Sequence, residues 1–203
     1  FAAVLAGLVL ASLLVVAPPG AGAATCTSGP MVVFPDVPAN HPFCAEVYGA
    51  VYAELVAGSL DGRFHPSSPV TRAQVAAILT RWSLSGEPPV GCAGPPATDV
   101  PASHPLCADI QFAMSSPQLN GYPDGTFRPA RTLTRQTAAA VFARALPGGV
   151  DDCTSAPFVD VPVSRQFCPE IAAAADAGVV TGYTDGTFRP LATINRGALA
   201  AMF

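Results

Sequence analysis

The sequence predicts a mainly α-helical protein made of three tandem helix-turn-helix repeats, with short extended segments in the connecting loops. Two observations support this prediction. The same landmark residues recur at a near-constant spacing along the 203-residue chain, first at Asp36, then at Asp99 and again at Asp160. Each copy also contains two stretches of apolar residues at helical spacing, separated by an Asp-Gly pair. Such a period indicates one structural unit used three times.

Composition excludes several classes of protein. Half of the residues are hydrophobic and 12% are charged, which is not the composition of a disordered chain. The net charge of −4 argues against a nucleic-acid partner. All ten basic residues are arginines, so mechanisms that depend on a lysine are excluded.

The segment 1–24 is uncharged and mostly apolar. The Pro18-Pro19 pair and the small triplet Ala21-Gly22-Ala23 close this segment in the manner of a secretory signal peptide. We therefore expect residues 1–24 to be a cleaved leader, incomplete because the chain starts at Phe1, and no membrane association after cleavage. A membrane anchor is the alternative, although the apolar core is at the short limit for a bilayer of ~30 Å.

The repeats divide the rest of the chain into residues 25–83, 84–146 and 147–203. Each opens on an aspartate, followed eight residues later by a cysteine that precedes the first predicted helix. Pro117 and Gly178 occupy equivalent positions and are predicted to stop that helix. After the stop, the chain is predicted to turn at Gly58, Gly121 and Gly182.

An Asp-Gly pair in each repeat, beginning at Asp61, Asp124 or Asp185, predicts a tight turn. Calcium binding is the alternative for these aspartates. The residues that follow them do not supply the regularly spaced oxygen ligands of an EF-hand loop, so we predict no metal site. The second helix is predicted to begin after an N-cap residue, which is Thr71, Thr134 or Asn195. Its alanine-rich run suits close packing between helices, and the third copy is expected to be truncated at Phe203.

Six cysteines follow the leader, and only pairing within repeats treats the three copies alike. The predicted disulfides close loops of 18, 15 and 15 residues, worth about 3 kcal/mol each in the chain-entropy model. A metal site is the competing use, but the chain has no C-x-x-C motif. The predicted pairs are Cys26 with Cys44, Cys92 with Cys107, and Cys153 with Cys168.

The repeated pattern F-x-D-V, helix, G-Y-x-D-G-T-F-R-P and T-R resembles the S-layer homology family, most closely at residues 121–129 and 182–190. The resemblance covers residues 34–203. It implies a pseudo-threefold, mostly helical arrangement with ligand grooves between repeats. It also implies a protein exported to the surface or wall of a bacterium, where members of the family bind secondary cell-wall polysaccharide, often pyruvylated.

The resemblance also implies two sets of ligand-binding residues. Arg72, Arg135 and Arg196 match the arginine of the family's Thr-Arg-Ala-Glu motif, and a guanidinium suits bidentate capture of a carboxylate. Asp36, Asp99 and Asp160 match the family's opening aspartate and can accept hydrogen bonds from sugar hydroxyls or from a neighbouring arginine. Ligand contact and structural pairing between repeats both remain open for the arginines.

The chain departs from the family pattern in two respects. The motif's glutamate is replaced by Gln74, Thr137 and Ala198, and the family's tryptophan by Pro42, Pro105 and Gln166. The remaining aromatic candidates for sugar contact are Phe43 and Phe167. The second repeat has Leu106 at that position and Ala97 where the others have Phe, so we expect it to provide the weakest groove.

These observations favour a non-catalytic module that anchors protein at the cell surface. One alternative is a structural module for protein-protein assembly in the envelope, and another is the anchor of a larger extracellular enzyme. We predict no catalytic residue and no cofactor, since no G-x-S-x-G, H-E-x-x-H or glycine-rich phosphate loop occurs. His41 and His104 have Arg165 at the equivalent position of the third repeat, which fits capping better than catalysis.

Overall fold

The computed structural model describes residues 34–84, 89, 91–116 and 118–203. The described residues contain six helices and isolated β-bridges, which confirms the mainly α-helical prediction. The leader, Cys26 and Pro117 lie outside the described residues. The helices are α1 (Cys44–Tyr52), α2 (Arg72–Ser83), α3 (Cys107–Met114), α4 (Arg135–Ala143), α5 (Cys168–Asp176) and α6 (Arg196–Ala200).

The second helix of each repeat begins at the predicted N-cap. Thr71, Thr134 and Asn195 each accept a hydrogen bond from the backbone N–H three residues later. Only α2 has a full capping box, because the Gln74 side chain also accepts from the backbone N–H of Thr71. The first helices start at the cysteines, and α5 ends before Gly178, whose φ of 72° confirms the predicted stop.

The prediction that Gly58, Gly121 and Gly182 turn the chain is wrong. None of these three glycines has a left-handed backbone, whereas the glycines of the Asp-Gly pairs do, with φ of 77° at Gly62 and 78° at both Gly125 and Gly186. A Cβ at Gly58 or Gly182 would instead collide with the aromatic ring that opens the same repeat, Phe34 or Phe158. These glycines are required by close packing against that ring.

Helices pair between repeats rather than within them. The second helix of one repeat packs against the first helix of the next, as α2 with α3 and α4 with α5. Helix α6 of the third repeat packs on α1 of the first, so the series closes on itself. This closure gives the pseudo-threefold arrangement that the resemblance implies. Within the described residues, no helix combines the length and apolar character needed to cross a membrane.

A ring of backbone hydrogen bonds lies at the centre of this arrangement. The N–H of Val70 donates to the carbonyl of Ile194 at 3.1 Å. The N–H of Ile194 donates to Leu133, and that of Leu133 donates to Val70, both at 3.0 Å. One buried apolar residue from each repeat thus occupies the same place around the axis.

The core extends from this ring along the inner faces of the second helices. Phe64, Phe127 and Phe188, the phenylalanines of the Asp-Gly turns, are completely buried. Ala138 and Ala139 are also completely buried in α4, which is consistent with close helix approach. The single core therefore belongs to all three repeats together, because each alone is too small to bury a sufficient one.

Two disulfides fasten the first helices to the segments that precede them. Cys92 is bonded to Cys107 and Cys153 to Cys168, each with a Cα–Cα distance of 5.7 Å. Both confirm pairing within a repeat. The proposed Cys26–Cys44 pair includes a residue outside the described part of the chain.

Candidate functional site

The arginine at the start of each second helix joins its own repeat to the next one. The Nε–H of Arg72 donates to the carbonyl of Phe127 at 2.7 Å, and its Nη2 donates to that of Asn120 at 2.8 Å. Arg135 makes the same two contacts with Phe188 and Thr181. Arg196 makes them with Phe64 and Ala57 of the first repeat, at 2.8 and 2.7 Å.

Each of these guanidinium groups also lies over a buried phenyl ring. The distance from Cζ to the ring centroid is 4.5 Å for Arg72 on Phe127 and for Arg196 on Phe64, and 4.6 Å for Arg135. Such cation-π contacts add to the hydrogen bonds. Burial lowers the pKa of all three arginines, yet they stay charged because an arginine pKa lies far above neutrality.

The opening aspartates hold the same turns from the other side. Asp36 accepts hydrogen bonds from the backbone N–H groups of Phe64 and His65 at 3.0 and 2.7 Å. Asp99 and Asp160 make the equivalent pairs of contacts at 2.7 and 2.8 Å. Burial opposes ionisation of Asp36 and Asp99, but the backbone donors outweigh it, and both pKa values lie below the ordinary range.

The second residue held by each aspartate has a left-handed backbone, which non-glycine residues rarely adopt. These residues are His65, Arg128 and Arg189, with φ of 59°, 59° and 56°. The left-handed backbone at these positions was not predicted from the sequence. The residue that stabilises it is the aspartate 28 or 29 residues earlier, and its carboxylate offsets the strain only after the repeat has folded.

The arginine and the aspartate therefore stabilise the same turn without contacting each other. One peptide segment, at Phe64, Phe127 or Phe188, gives its N–H to the aspartate of its own repeat and its carbonyl to the arginine of the preceding repeat. No ion pair forms between the two sets within the described residues. The structural role left open for the arginines is thus real, although it is not a direct pairing with aspartate.

The start of each second helix is also occupied by protein. The N–H groups of Arg72 and Ala73 donate to the carbonyls of Arg131 and Pro129 in the next repeat. The other two helices repeat this pattern, and the N-cap side chain takes a further N–H. These donors, which often bind anions at helix termini, are therefore not available to a ligand.

The arginines nevertheless retain one free nitrogen. Nη1 of Arg72, Arg135 and Arg196 has no hydrogen-bonding partner among the described residues. None of these three Nη1 atoms is completely buried. Each guanidinium therefore reaches solvent with Nη1 while its other nitrogens fasten the repeats.

A groove of about 210 Å³ is lined in part by one of these arginines, Arg135. Its walls come from all three repeats, and we call it the Tyr183 groove. Phe43 is supplied by the first repeat, Arg135 by the second, and the remainder by the third. The third repeat contributes Val179, Val180, Thr181, Gly182, Tyr183, Asn195, Ala198, Ala201 and Met202.

The pseudo-threefold places equivalent residues at the two other junctions between repeats, and we name these two sets in the same way. The Tyr122 groove has Arg72, Asn120, Tyr122, Thr134 and Phe167. The Ser59 groove has Arg196, Ala57, Ser59, Thr71 and Leu106. By this equivalence Leu106 belongs to the Ser59 groove and not to the groove that contains Tyr122. The expectation that the second repeat provides the weakest groove stays a prediction.

The tyrosines of these grooves were not selected from the sequence, although the repeated G-Y-x-D-G motif contains them. The guanidinium of Arg128 lies 4.0 Å from the ring centroid of Tyr122, and that of Arg189 lies 3.8 Å from Tyr183. Asp124 pairs with Arg128 at 2.7 Å, and Asp185 pairs with Arg189 at 3.0 Å. The first repeat has Ser59 at the tyrosine position.

The aspartates of the Asp-Gly turns have hydrogen-bonding partners within the protein. Hydrogen bonds from Thr126 and Arg128 lower the pKa of Asp124 to about 2, and those from Thr187 and Arg189 do the same for Asp185. Among the described residues, no group of three or more His, Cys, Asp or Glu side chains is placed to hold a metal ion. His41 and His104 lie just before the first helices of their repeats, where Nδ1 of each accepts a backbone N–H at 3.1 Å, from Phe43 and Leu106 respectively.

Comparison with known families gives three matches along the chain. The family described as S-layer homology domain matches residues 33–76, 98–139 and 157–200. Each match contains one opening region, one Asp-Gly turn and the start of one second helix.

The chain is also similar to several surface proteins of bacteria. It is 29% identical over 191 residues to cell surface glycoprotein 1 of Acetivibrio thermocellus, covering 87% of this chain and 8% of the relative. It is 31% identical to S-layer protein EA1 of Bacillus anthracis, covering 74% and 15%. It is 35% identical to the cellulosome-anchoring protein of A. thermocellus, covering 43% and 20%. The chain thus matches only a small part of each relative.

Proposed function

Because the chain belongs to the S-layer homology domain family, we propose that its inter-repeat grooves bind secondary cell-wall polysaccharide and hold protein on the bacterial envelope. The chain is a cell-surface module of the anchoring type. The similarity to S-layer and cellulosome-anchoring proteins supports the proposal. The activities of any longer protein are a separate matter, since the chain covers 20% or less of these three relatives.

The observation that carries the proposal is the divided use of each arginine. Nε and Nη2 are bound to carbonyls of the next repeat, which fixes the guanidinium in place. Nη1 has no partner in the protein, and Arg135 is part of the lining of a groove that is built from three repeats. A charged donor that is held rigidly loses little entropy when it binds, so it suits recognition of a polar polymer.

An acidic substituent on the polysaccharide would suit these grooves. A guanidinium binds a carboxylate by charge-assisted hydrogen bonds, which are about twice as strong as neutral ones. We therefore extend the proposal to a glycan that carries carboxylates, such as pyruvyl ketals. The opening aspartates are assigned a supporting role, because their carboxylate oxygens already accept the backbone N–H groups of the turns.

The aromatic candidates are assigned to the groove walls. Phe43 lies in the Tyr183 groove, where it packs close to Gly197 of α6. Phe167 has the equivalent place in the Tyr122 groove. Partly buried phenyl rings at these positions offer an apolar surface to the carbon-bound face of a sugar.

Co-sedimentation with purified cell walls tests the proposal. We expect the whole chain to sediment with intact walls and to remain in solution with walls from which the non-peptidoglycan polysaccharide has been extracted. The variant Arg63→Gln serves as a control, because it removes an exposed arginine and leaves the three groove arginines intact. Equal sedimentation with both wall preparations, or with neither, would overturn the proposal.

The same experiment separates the alternative of a protein-protein assembly module. Such a module would bind protein components of the envelope and would ignore extraction of the polysaccharide. The closed ring of repeats leaves no helix of the described chain without a packing partner in another repeat, so assembly would have to use the outer surface. Binding that depends on wall protein alone would favour this alternative.

A further inference from the structure

The three grooves share one arginine position but differ at four other positions. The Tyr122 groove is the most polar of the three, with Gln118, Asn120, Tyr122 and Arg131. At the equivalent positions the third repeat has Val179, Thr181, Tyr183 and Ala192, of which the first three line the Tyr183 groove. The Ser59 groove has Leu55, Ala57, Ser59 and Ser68.

Three guanidinium groups surround the ring of Tyr122. The Cζ-to-centroid distances are 4.0 Å for Arg128, 4.8 Å for Arg72 and 5.5 Å for Arg131. Arg131 also donates from Nη1 to the Tyr122 hydroxyl at 3.0 Å. In the Tyr183 groove only Arg135 and Arg189 lie over the tyrosine, because Ala192 stands where the second repeat has Arg131.

The positive charge beside Tyr122 is not fully balanced. Asp124 pairs with Arg128, and Asp99 is engaged by backbone N–H groups of the turn. Two aspartates therefore face three arginines. The Tyr183 groove is balanced, since Asp160 and Asp185 face Arg135 and Arg189.

The number of positive charges near the shared arginine falls from the Tyr122 groove to the Tyr183 groove and then to the Ser59 groove. Burial is the main cause that lowers the pKa of Arg72, and both Arg131 and Arg128 lower it further. For Arg135 burial is again the main cause, with only Arg189 as a like charge. For Arg196 burial acts with no neighbouring cation, and Asp36 opposes it.

Gln118, which is equivalent to Val179, carries an acceptor that the protein does not satisfy. Oε1 of Gln118 is buried and has no hydrogen-bonding partner among the described residues. Val179, at the equivalent position, lines the Tyr183 groove. A buried acceptor without a partner is destabilising, and a donor such as a sugar hydroxyl would offset that cost.

We propose that the Tyr122 groove is the acid-selective groove of the three, binding a sugar carboxylate between Arg72 and Arg131 and a sugar hydroxyl at Gln118. This inference rests on the proposed function and assigns its acidic recognition to one place. The Tyr183 and Ser59 grooves lack both the third arginine and the amide. They therefore discriminate little between acidic and neutral sugars.

The experiment is an NMR titration of the whole chain, observing the Nε–H resonances of its ten arginines. The probes are methyl glucuronide, which carries a carboxylate, and methyl glucoside, which does not. We expect the glucuronide to shift Arg72 and Arg131 at lower concentration than Arg135 or Arg196. We expect the glucoside to leave Arg72 and Arg131 unshifted. Equal shifts in all three grooves would overturn the inference.

Two exchanges between repeats supply matched variants. Arg131→Ala gives the Tyr122 groove the residue of the third repeat and should weaken glucuronide binding there about threefold. Ala192→Arg gives the Tyr183 groove the third arginine and should shift glucuronide binding at Arg135 toward lower concentration. Circular dichroism checks that both fold. If neither exchange moves the titration, Arg131 does not discriminate and the inference is wrong.

The outcome is separable from that of the wall-binding experiment. Wall binding together with equal titration of the three grooves would overturn this inference alone. Selective titration at Arg72 and Arg131 without any wall binding would overturn the proposed function. In that case the Tyr122 groove would remain a site for acidic sugars from another source.

Discussion

Arg196 donates its Nε–H to the main-chain carbonyl of Phe64 at 2.8 Å, across 132 residues of sequence. The N–H of the same Phe64 donates to Asp36 at 3.0 Å. The last repeat is thereby fastened to a turn that the first repeat holds in place. Of the three arginine contacts, this one helps to close the series of repeats, because the other two arginines join neighbours along the chain.

Replacement of Arg196 by glutamine should destabilise the protein by about 2–4 kcal/mol. Two charge-assisted hydrogen bonds and one cation-π contact are lost, and the carbonyls of Phe64 and Ala57 lose their donor. Urea denaturation measures the change. Arg63→Gln is the control, since Arg63 is exposed and should change stability by less than about 0.5 kcal/mol. Similar midpoints for the two variants would contradict the closing role.

Replacement of Asp36 by asparagine should destabilise the turn by about 2 kcal/mol. An amide can offer only one acceptor oxygen where the carboxylate accepts from both Phe64 and His65. Hydrogen exchange at these two amides should become faster. Asp151→Asn, which removes the same charge at an exposed position, is the control. Unchanged protection of both amides would show that the carboxylate is not what holds this turn.

Two glycine-to-alanine substitutions should have opposite effects. Gly58→Ala places a methyl group against the ring of Phe34 and should cost about 1–3 kcal/mol. Gly49→Ala lies within α1 with open space around it and should stabilise by about 0.5–1 kcal/mol through helix propensity. Thermal unfolding compares them. A stabilising Gly58→Ala would mean that the ring of Phe34 moves aside at little cost.

Removal of the Cys92–Cys107 disulfide should cost about 3 kcal/mol. The bond closes a 15-residue loop and holds the segment before α3 against the start of that helix. The double variant Cys92→Ser with Cys107→Ser should therefore unfold at a lower urea concentration. The Cys153–Cys168 pair closes a loop of the same length, so its removal should cost a similar amount. A loss no larger than that of an ordinary surface substitution, about 0.5 kcal/mol, would contradict the loop-entropy account for either pair.

Stability should fall in acid between about pH 4 and pH 2. Asp124 and Asp185 have folded pKa values of about 2, below the value of about 3.9 for an unfolded aspartate. A depressed folded pKa contributes stability above the unfolded pKa, and this is lost as pH falls through the folded pKa. Asp36 and Asp99 act in the same direction. Asp109, whose pKa is raised by burial, acts in the opposite direction.

Urea denaturation at pH 7, 4, 3 and 2 checks this prediction. The double variant Asp124→Asn with Asp185→Asn should be less stable at pH 7 and should show a smaller loss between pH 4 and pH 2. A stability that is constant down to pH 2 would contradict the role given to these carboxylates.

Local features were predictable because their causes lie within a few residues. Thr71 caps α2 through an N–H three residues away, and Gly178 ends α5 by adopting a left-handed backbone. The misassigned Gly58 shows the limit of this reasoning. Its constraint comes from the ring of Phe34, which is distant in sequence and reaches the glycine only after folding.

The candidate site was predictable in its residue types but not in its geometry. The sequence identifies one arginine and one aspartate per repeat, and it suggests that they pair. The structure places both on a third group, the backbone at Phe64, Phe127 or Phe188. Tyr122 and Arg131 were missed, because their positions gain meaning only from their distance to Arg72.

The sequence by itself determined the repeating unit, its helix starts, its Asp-Gly turns and the pairing of cysteines within the second and third repeats. All of these depend on contacts that are short in sequence and identical in each copy. Only the tertiary structure decided that Arg196 reaches back to Phe64, and that residues of all three repeats line the Tyr183 groove. Every repeat offers equivalent carbonyls, so the sequence of a repeat does not specify which repeat its arginine binds. Closure of the ring decides this partner, because it buries one shared core.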